Sequence, residues 1–162
     1  MRQAGIAAIA LAVASTALLA GRPADAARSP TQDDVEAAIR AVHAEMRQAA
    51  RELDAAALYA HVVDGDTPPI IEDGSLADTR AAAMARTTQG FRGVSSLDYS
   101  YTRESITVLS ATTALWVGAG TATAQLADGR RIDAPFAETI LFVQRDGEWK
   151  VLHAHRSAPN RL

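Results

Sequence analysis

The chain contains no cysteine, which removes disulfide frameworks, thiolate nucleophiles, lipid-modified leader cysteines and cysteine-ligated zinc from consideration. Any metal would have to sit on histidine and carboxylate. Aromatic residues make up only 5% of the 162 positions, and no run of Lys and Arg occurs. With 16 basic against 19 acidic side chains the net charge is −3, so the positive footprint that grips a phosphate backbone is missing and nucleic acid is not expected as a partner. Gly-rich phosphate loops, nucleophile elbows and zinc-protease helix motifs are absent too. What remains is 48% apolar and 22% charged, the make-up of one ordinary globular domain.

Arg2 and Arg22 enclose 19 uncharged residues rich in Ala, Leu, Ile and Val, followed at once by Pro23-Ala24-Asp25-Ala26. This pattern predicts a secretory signal peptide over residues 1–26 with an A-x-A cleavage site, a retained anchor being the alternative. Cleavage leaves residues 27–162 as one domain with 14 cations and 18 anions. A chain of that size buries about two-thirds of its unfolded surface and can hold a core without staples. The expected destination is periplasmic or secreted, with no membrane contact once the leader is gone.

Thr31 followed by Asp34 reads as a capping box, with Asp33, Asp34 and Glu36 in the first turn, where the helix dipole favours anions. Val35, Ile39, Val42, Met46, Ala50 and Leu53 then recur at helical spacing, leaving Arg40, Glu45, Arg47 and Arg51 toward solvent and His43 on the helix surface beside the stripe. Asp54 caps a second, short helix that ends before the helix-incompatible Thr67-Pro68-Pro69. Ile70-Ile71 is a candidate short strand and Asp73-Gly74 a turn. Leu76 to Gln89, free of breakers, reads as a third helix stopped by Gly90 and Gly93.

From Leu97 the period changes to two and Thr, Val, Tyr, Phe and Trp dominate. Strands are predicted at 98–109, 112–127, 131–144 and 149–157, joined as an antiparallel meander. Helices followed by consecutive long strands make an α+β domain. Two-residue type I′ turns at Asp128-Gly129 and Asp146-Gly147 would fix the register. Glu138 then lies opposite His155 and Ala119, and Ile140 opposite His153 and Val117. One face carries Leu115, Val117, Thr121, Phe136, Ile140, Phe142, Trp149 and Val151, with Glu138, His153 and His155 set into it.

A carboxylate opposite an imidazole on an apolar face must pair or reach water. The candidate catalytic set is therefore Glu138, His155 and His153, a histidine being suited to proton transfer near neutral pH. A strand-locking ion pair is the bland alternative. Tyr59, Tyr99, Phe136 and Trp149 are the candidate ligand-binding residues. His153-x-His155 with Glu138 has the residue types of a two-His-one-carboxylate metal set, yet such pairs in strands serve packing more often, and neither metal nor cofactor is expected. The other face, with Trp116, Leu141, Val143 and Leu152, is too apolar to be all solvent. It predicts a homodimer through the outer sheet face, with Trp116 as an interface anchor or a peripheral core residue.

The stretch from Glu138 to Ser157, with its Arg145-Asp146-Gly147-Glu148-Trp149 corner and its His153-x-His155-Arg156-Ser157 ending, resembles the closing hairpin of nuclear transport factor 2-like domains, the SnoaL-like branch most. It is also similar to the end of the calcium/calmodulin-dependent protein kinase association domain. The resemblance implies a cone-shaped barrel: three N-terminal helices packed on a curved antiparallel four-strand meander, plus a possible short extra strand, with a pocket at the open end. It implies no single activity, because the fold carries isomerases, cyclases, dehydratases, transport factors and oligomerising hubs. The expected function is binding of a small, partly apolar molecule in the cone, with room for cofactor-free acid–base catalysis of isomerase, dehydratase or hydrolase type. The alternative is a non-catalytic homo-oligomerisation module.

Overall fold

The structure, a computed structural model, describes residues 29–65 and 70–159; the expected leader and the Thr67-Pro68-Pro69 break lie outside them. The first helix, α1 (Gln32–Arg51), begins with the predicted box: Thr31 Oγ1 accepts from Asp34 N at 3.2 Å, and Asp34 Oδ2 accepts from Thr31 N at 2.9 Å. Its buried face is Val35, Ile39, His43, Ala49 and Ala50. Leu53 turns the chain with φ 57°, and Asp54 then caps α2 (Ala55–Ala60), accepting from Ala57 N at 2.9 Å. Among the described residues no helix is long and apolar enough to cross a membrane.

The expected third helix starts late. Asp73 and Gly74, at φ 47° and 76°, form a tight hairpin between β1 (Ile70–Glu72) and β2 (Ser75–Ala77), so Leu76 is drawn into strand pairing with Ile71. Thr79 caps α3 (Arg80–Phe91) two residues later, its Oγ1 accepting from Ala82 N at 3.1 Å. Local propensity in this Ala-rich stretch yields to the turn before it and the cap inside it.

The second half is the predicted meander: β3 (Val94–Ser110), β4 (Thr113–Leu126), β5 (Arg131–Arg145) and β6 (Glu148–Ser157). The candidate strand β1 joins it in parallel against β6, and β2 follows, giving a curved, unclosed six-strand sheet in the order β2-β1-β6-β5-β4-β3. Three helices on this curved, largely antiparallel sheet make the cone expected from the closing hairpin. Val35 and Ile39 of α1 pack with Trp116, Ile140, Phe142 and Val151 to form the core.

The register corrects the expected faces at two places. Asp146 and Gly147 do form a type I′ corner (φ 52° and 83°), and Phe142 pairs with Val151 as calculated. Beyond that pair Leu152 bulges out, so Leu141 faces His153 and Glu138 faces Arg156, not His155. At the other corner only Gly129 has positive φ (89°), and Leu126 N donates to Arg130 O at 2.8 Å, closing a three-residue loop of Ala127, Asp128 and Gly129 instead of a two-residue one. Trp116 therefore faces Ile140 and is 1% exposed, whereas Val117 turns outward at 40%. Trp116 is a central core residue, neither an outer-face anchor nor peripheral, and Leu115 and Val117 belong to the outer face.

Candidate functional site

The inner face of the sheet and the helices above it enclose a cavity of about 520 Å³. Its walls are mostly apolar: Met46 and Ala50 from α1, Leu58 from α2, Ile70 from β1, Phe91 from α3, and Ile140 and Val151 from the sheet. Glu138 lies at its floor. The even-numbered positions of β5 point inward, and the Leu152 bulge swings Arg156 to the same side.

Both carboxylate oxygens of Glu138 are engaged. The Tyr101 hydroxyl donates to Oε1, while Arg156 Nε and Nη2 donate to Oε2 at 2.8 and 2.7 Å. Arg156 Nη1 continues to the Tyr99 hydroxyl at 2.8 Å and to Glu72 Oε1 at 3.4 Å, and the guanidinium lies 4.6 Å from the Tyr99 ring centroid and 5.5 Å from that of Phe136. A carboxylate only 6% exposed is tolerable in such a place because each oxygen has a partner. Burial works to lower the Arg156 pKa, but Tyr99, Glu138 and Glu72 outweigh it and hold the guanidinium above its ordinary value. Burial raises Tyr99, and burial together with the Glu138 carboxylate raises Tyr101 further, so both phenols keep their protons. Tyr59, raised mainly by burial, shares a hydrogen bond with Thr87 Oγ1 at 2.9 Å.

His43 is a second correction. It lies 6% exposed, its ring 4.1 Å from Trp116 and 5.1 Å from Tyr101, and it borders the cavity. Burial lowers its pKa to about 4; Glu138 opposes that shift, and Arg47 and Arg156 reinforce it. The imidazole is therefore neutral at pH 7, with Nδ1 3.9 Å from Glu104 Oε1. Space for this stack comes from Gly118, which faces Glu138: a Cβ there would sit 2.1 Å from Trp116 Cη2. Arg47, expected in solvent, folds inward instead, donating from Nη2 to the Tyr99 carbonyl at 2.7 Å.

Of the residues chosen from sequence, the structure brings together Glu138, Tyr99 and Tyr59 around the cavity, with Phe136 packed edge-on against Tyr99 and Tyr101 beside the floor. Trp149 lies elsewhere, in a smaller hollow with Val42, Glu45 and His61. His153 and His155 pair with Leu141 and Thr139 on the opposite side of the sheet, His155 exposed, so the expected Glu138–His155 pair does not form. Among the described residues no cluster of three His, Asp or Glu side chains could hold a metal. The residues missed were Arg156, Tyr101 as the partner of Glu138, Arg47 and His43. Opposite charges at Glu138 and Arg156, one residue off ideal hairpin register, were the signal that could have found the pair.

With this geometry in hand, the comparisons are decisive for family. Residues 39–161 match the model of the SnoaL-like domain. The chain belongs to the SnoaL-like domain family. Solved structures similar to this SnoaL-like domain include a candidate dehydratase of the nuclear transport factor 2-like family from Streptomyces avermitilis, at 14% identity and TM-score 0.71, covering 80% of this chain and 99% of that one. A candidate scytalone dehydratase from Novosphingobium aromaticivorans matches at 16% identity and TM-score 0.67, over 78% and 85%. A candidate calcium/calmodulin-dependent protein kinase II association domain from Xanthomonas campestris matches at 15% and 0.63, over 79% and 87%. At these identities the likeness is one of fold. A comparison with curated proteins finds no match.

Proposed function

We propose that this SnoaL-like domain binds a small, largely apolar molecule in its cone, with the polar end of the molecule turned toward Tyr99, Tyr101 and Glu138. The observation that carries this reading is the open cavity of about 520 Å³ ending on a paired polar floor. Apolar walls supply affinity through area removed from water, and a few convergent polar groups fix orientation. The alternative, a non-catalytic homo-oligomerisation module, needs no such hollow. Phe136, Phe142 and Trp149 would plug the cone of such a module, but Phe142 packs in the core and Trp149 lines the other hollow.

The finer form of the proposal is cofactor-free acid–base chemistry of isomerase, dehydratase or hydrolase type. Glu138 orients Tyr101 and has no free oxygen with which to act as a base. His43, the imidazole that lines the cavity, takes the proton-acceptor place expected of His155, although burial holds its basicity down. Secretion through the leader belongs to the same proposal; a C-terminally tagged chain recovered from the periplasm beginning at Ala27 would bear it out.

A thermal-shift screen with small aromatic and alicyclic ketones, alcohols and acids tests the binding reading. A ligand present at a hundred times its Kd adds about 2.7 kcal/mol to stability. The expected result is a raised Tm for the wild type and none for Leu58→Trp, whose larger side chain occupies the hollow. A wild type that responds to nothing in the panel overturns the reading.

A further inference from the structure

We infer that the molecule held in this cone carries a carboxylate on an apolar body, and that Arg47 is the group that receives it; this rests on the binding reading above. Of the cations lining the cavity, Arg47 and Arg86 have no carboxylate partner among the described residues, and only Arg47 of the two is partly buried. Arg156 is shared between Glu138 and Glu72, and Asp73 at the rim accepts from Ala158 N at 2.8 Å. Arg86, exposed on α3, donates to the Leu76 carbonyl at 3.3 Å. On α1 itself, Arg40 meets Glu36 at 3.9 Å and Arg51 meets Asp98 at 2.7 Å.

Arg47 has no such carboxylate. Among the described residues its only acceptor is the Tyr99 carbonyl, its Nε is buried with none, and its guanidinium lies 5.0 Å from the Tyr101 ring centroid. A guanidinium offers five N–H donors in a planar fork, and withdrawing it from water without a counter-charge is costly. Turning it into the wall of a cavity leaves the compensating anion to be supplied by whatever enters.

The surroundings limit what that anion can be. Glu138 and Glu72 both line the same hollow, so a single guanidinium suits a monoanion better than a phosphate dianion. Met46, Ala50, Leu58 and Phe91 form the wall nearby, which calls for an aliphatic or aryl body behind the carboxylate. The class is a small monocarboxylic acid with an apolar tail, held by the Arg47 fork and stacked along the tyrosines of β3.

The test compares acids with their uncharged amides: hexanoate against hexanamide, and 4-phenylbutyrate against 4-phenylbutanamide, by titration calorimetry at pH 7.5 and low salt. The wild type should bind each acid about tenfold or more tighter than its amide, as one hydrogen-bonded charge contact implies. Arg47→Met should reduce that preference to less than about twofold, chiefly by weakening the acid, with Arg47→Lys falling between. The acid–amide contrast in the wild type needs no variant to fold. Equal binding of acid and amide, or binding of neutral ketones alone, overturns the carboxylate inference and leaves the cavity reading intact. No binding by any acid, amide or ketone overturns both.

Discussion

His43 shows how one side chain couples burial to pH. The pKa of a histidine in the unfolded chain is about 6.5, and in the fold burial holds this one near 4. The unfolded state therefore binds the extra proton first, between those two values. The sign follows: stability is full above pH 6.5, falls as pH drops through that window, and loses nothing more to this group below about 4. The full difference is on the order of 3 kcal/mol. His43→Phe keeps an aromatic ring against Trp116 and removes the titration, so urea unfolding at pH 7.0, 6.0 and 5.0 should show the wild type losing stability relative to the variant. Parallel curves would mean that the imidazole takes up its proton as readily in the fold as in the unfolded chain. None of this was legible in the sequence, where His43 stands beside the apolar stripe of α1. Its burial depends on Gly118 and Trp116, more than 70 positions away in the chain.

At the scale of elements, what could be read divides along a physical line. Helix caps are local, and Thr31 and Asp54 announced α1 and α2 because their hydrogen bonds reach only three residues ahead. Strand existence was also local, carried by period-two patterning from Leu97 onward. Facing was not, because it depends on counting residues through corners, and one extra residue inverts everything beyond it. Gly129 and Leu152 each contribute such a shift, which is why Glu138 was correctly turned inward while its partner was misassigned. The pair that the bulge creates can be tested directly. Deleting Leu152 would only close the bulge and keep Glu138 opposite Arg156, whereas Arg156→Met removes the cation in the unchanged register. Glu138 would lose the fork on Oε2, and a buried carboxylate left without its cation costs about 3–5 kcal/mol. Because the Arg156 side chain is 28% exposed, the lower end applies, read as a loss of several degrees in Tm. Unchanged stability would mean that the Glu138–Arg156 pair contributes little.

For the molecule as a whole, the same inversion that moved Trp116 into the core defines what the outer face presents. Val117 lies between Leu115 and Ala119 along β4, beside Thr139 and Leu141 of β5, with His153 and His155 on β6. The centre of this surface carries no carboxylate and no Lys or Arg, while Arg103, Arg131, Asp133 and Arg145 lie toward its edges. An apolar middle with a charged surround suits a surface that meets a copy of itself, since a two-fold contact sets each strand against its own counterpart. We propose a homodimer through the outer sheet face as the assembly. Light scattering should give twice the monomer mass at micromolar concentration. Val117→Lys would bring two cations together across the two-fold axis and shift the protein to monomer, leaving cavity ligands bound as before because position 117 faces away from the cone. If the wild type is itself a monomer, the apolar middle of the sheet has another role and the ligand site must be complete within a single chain.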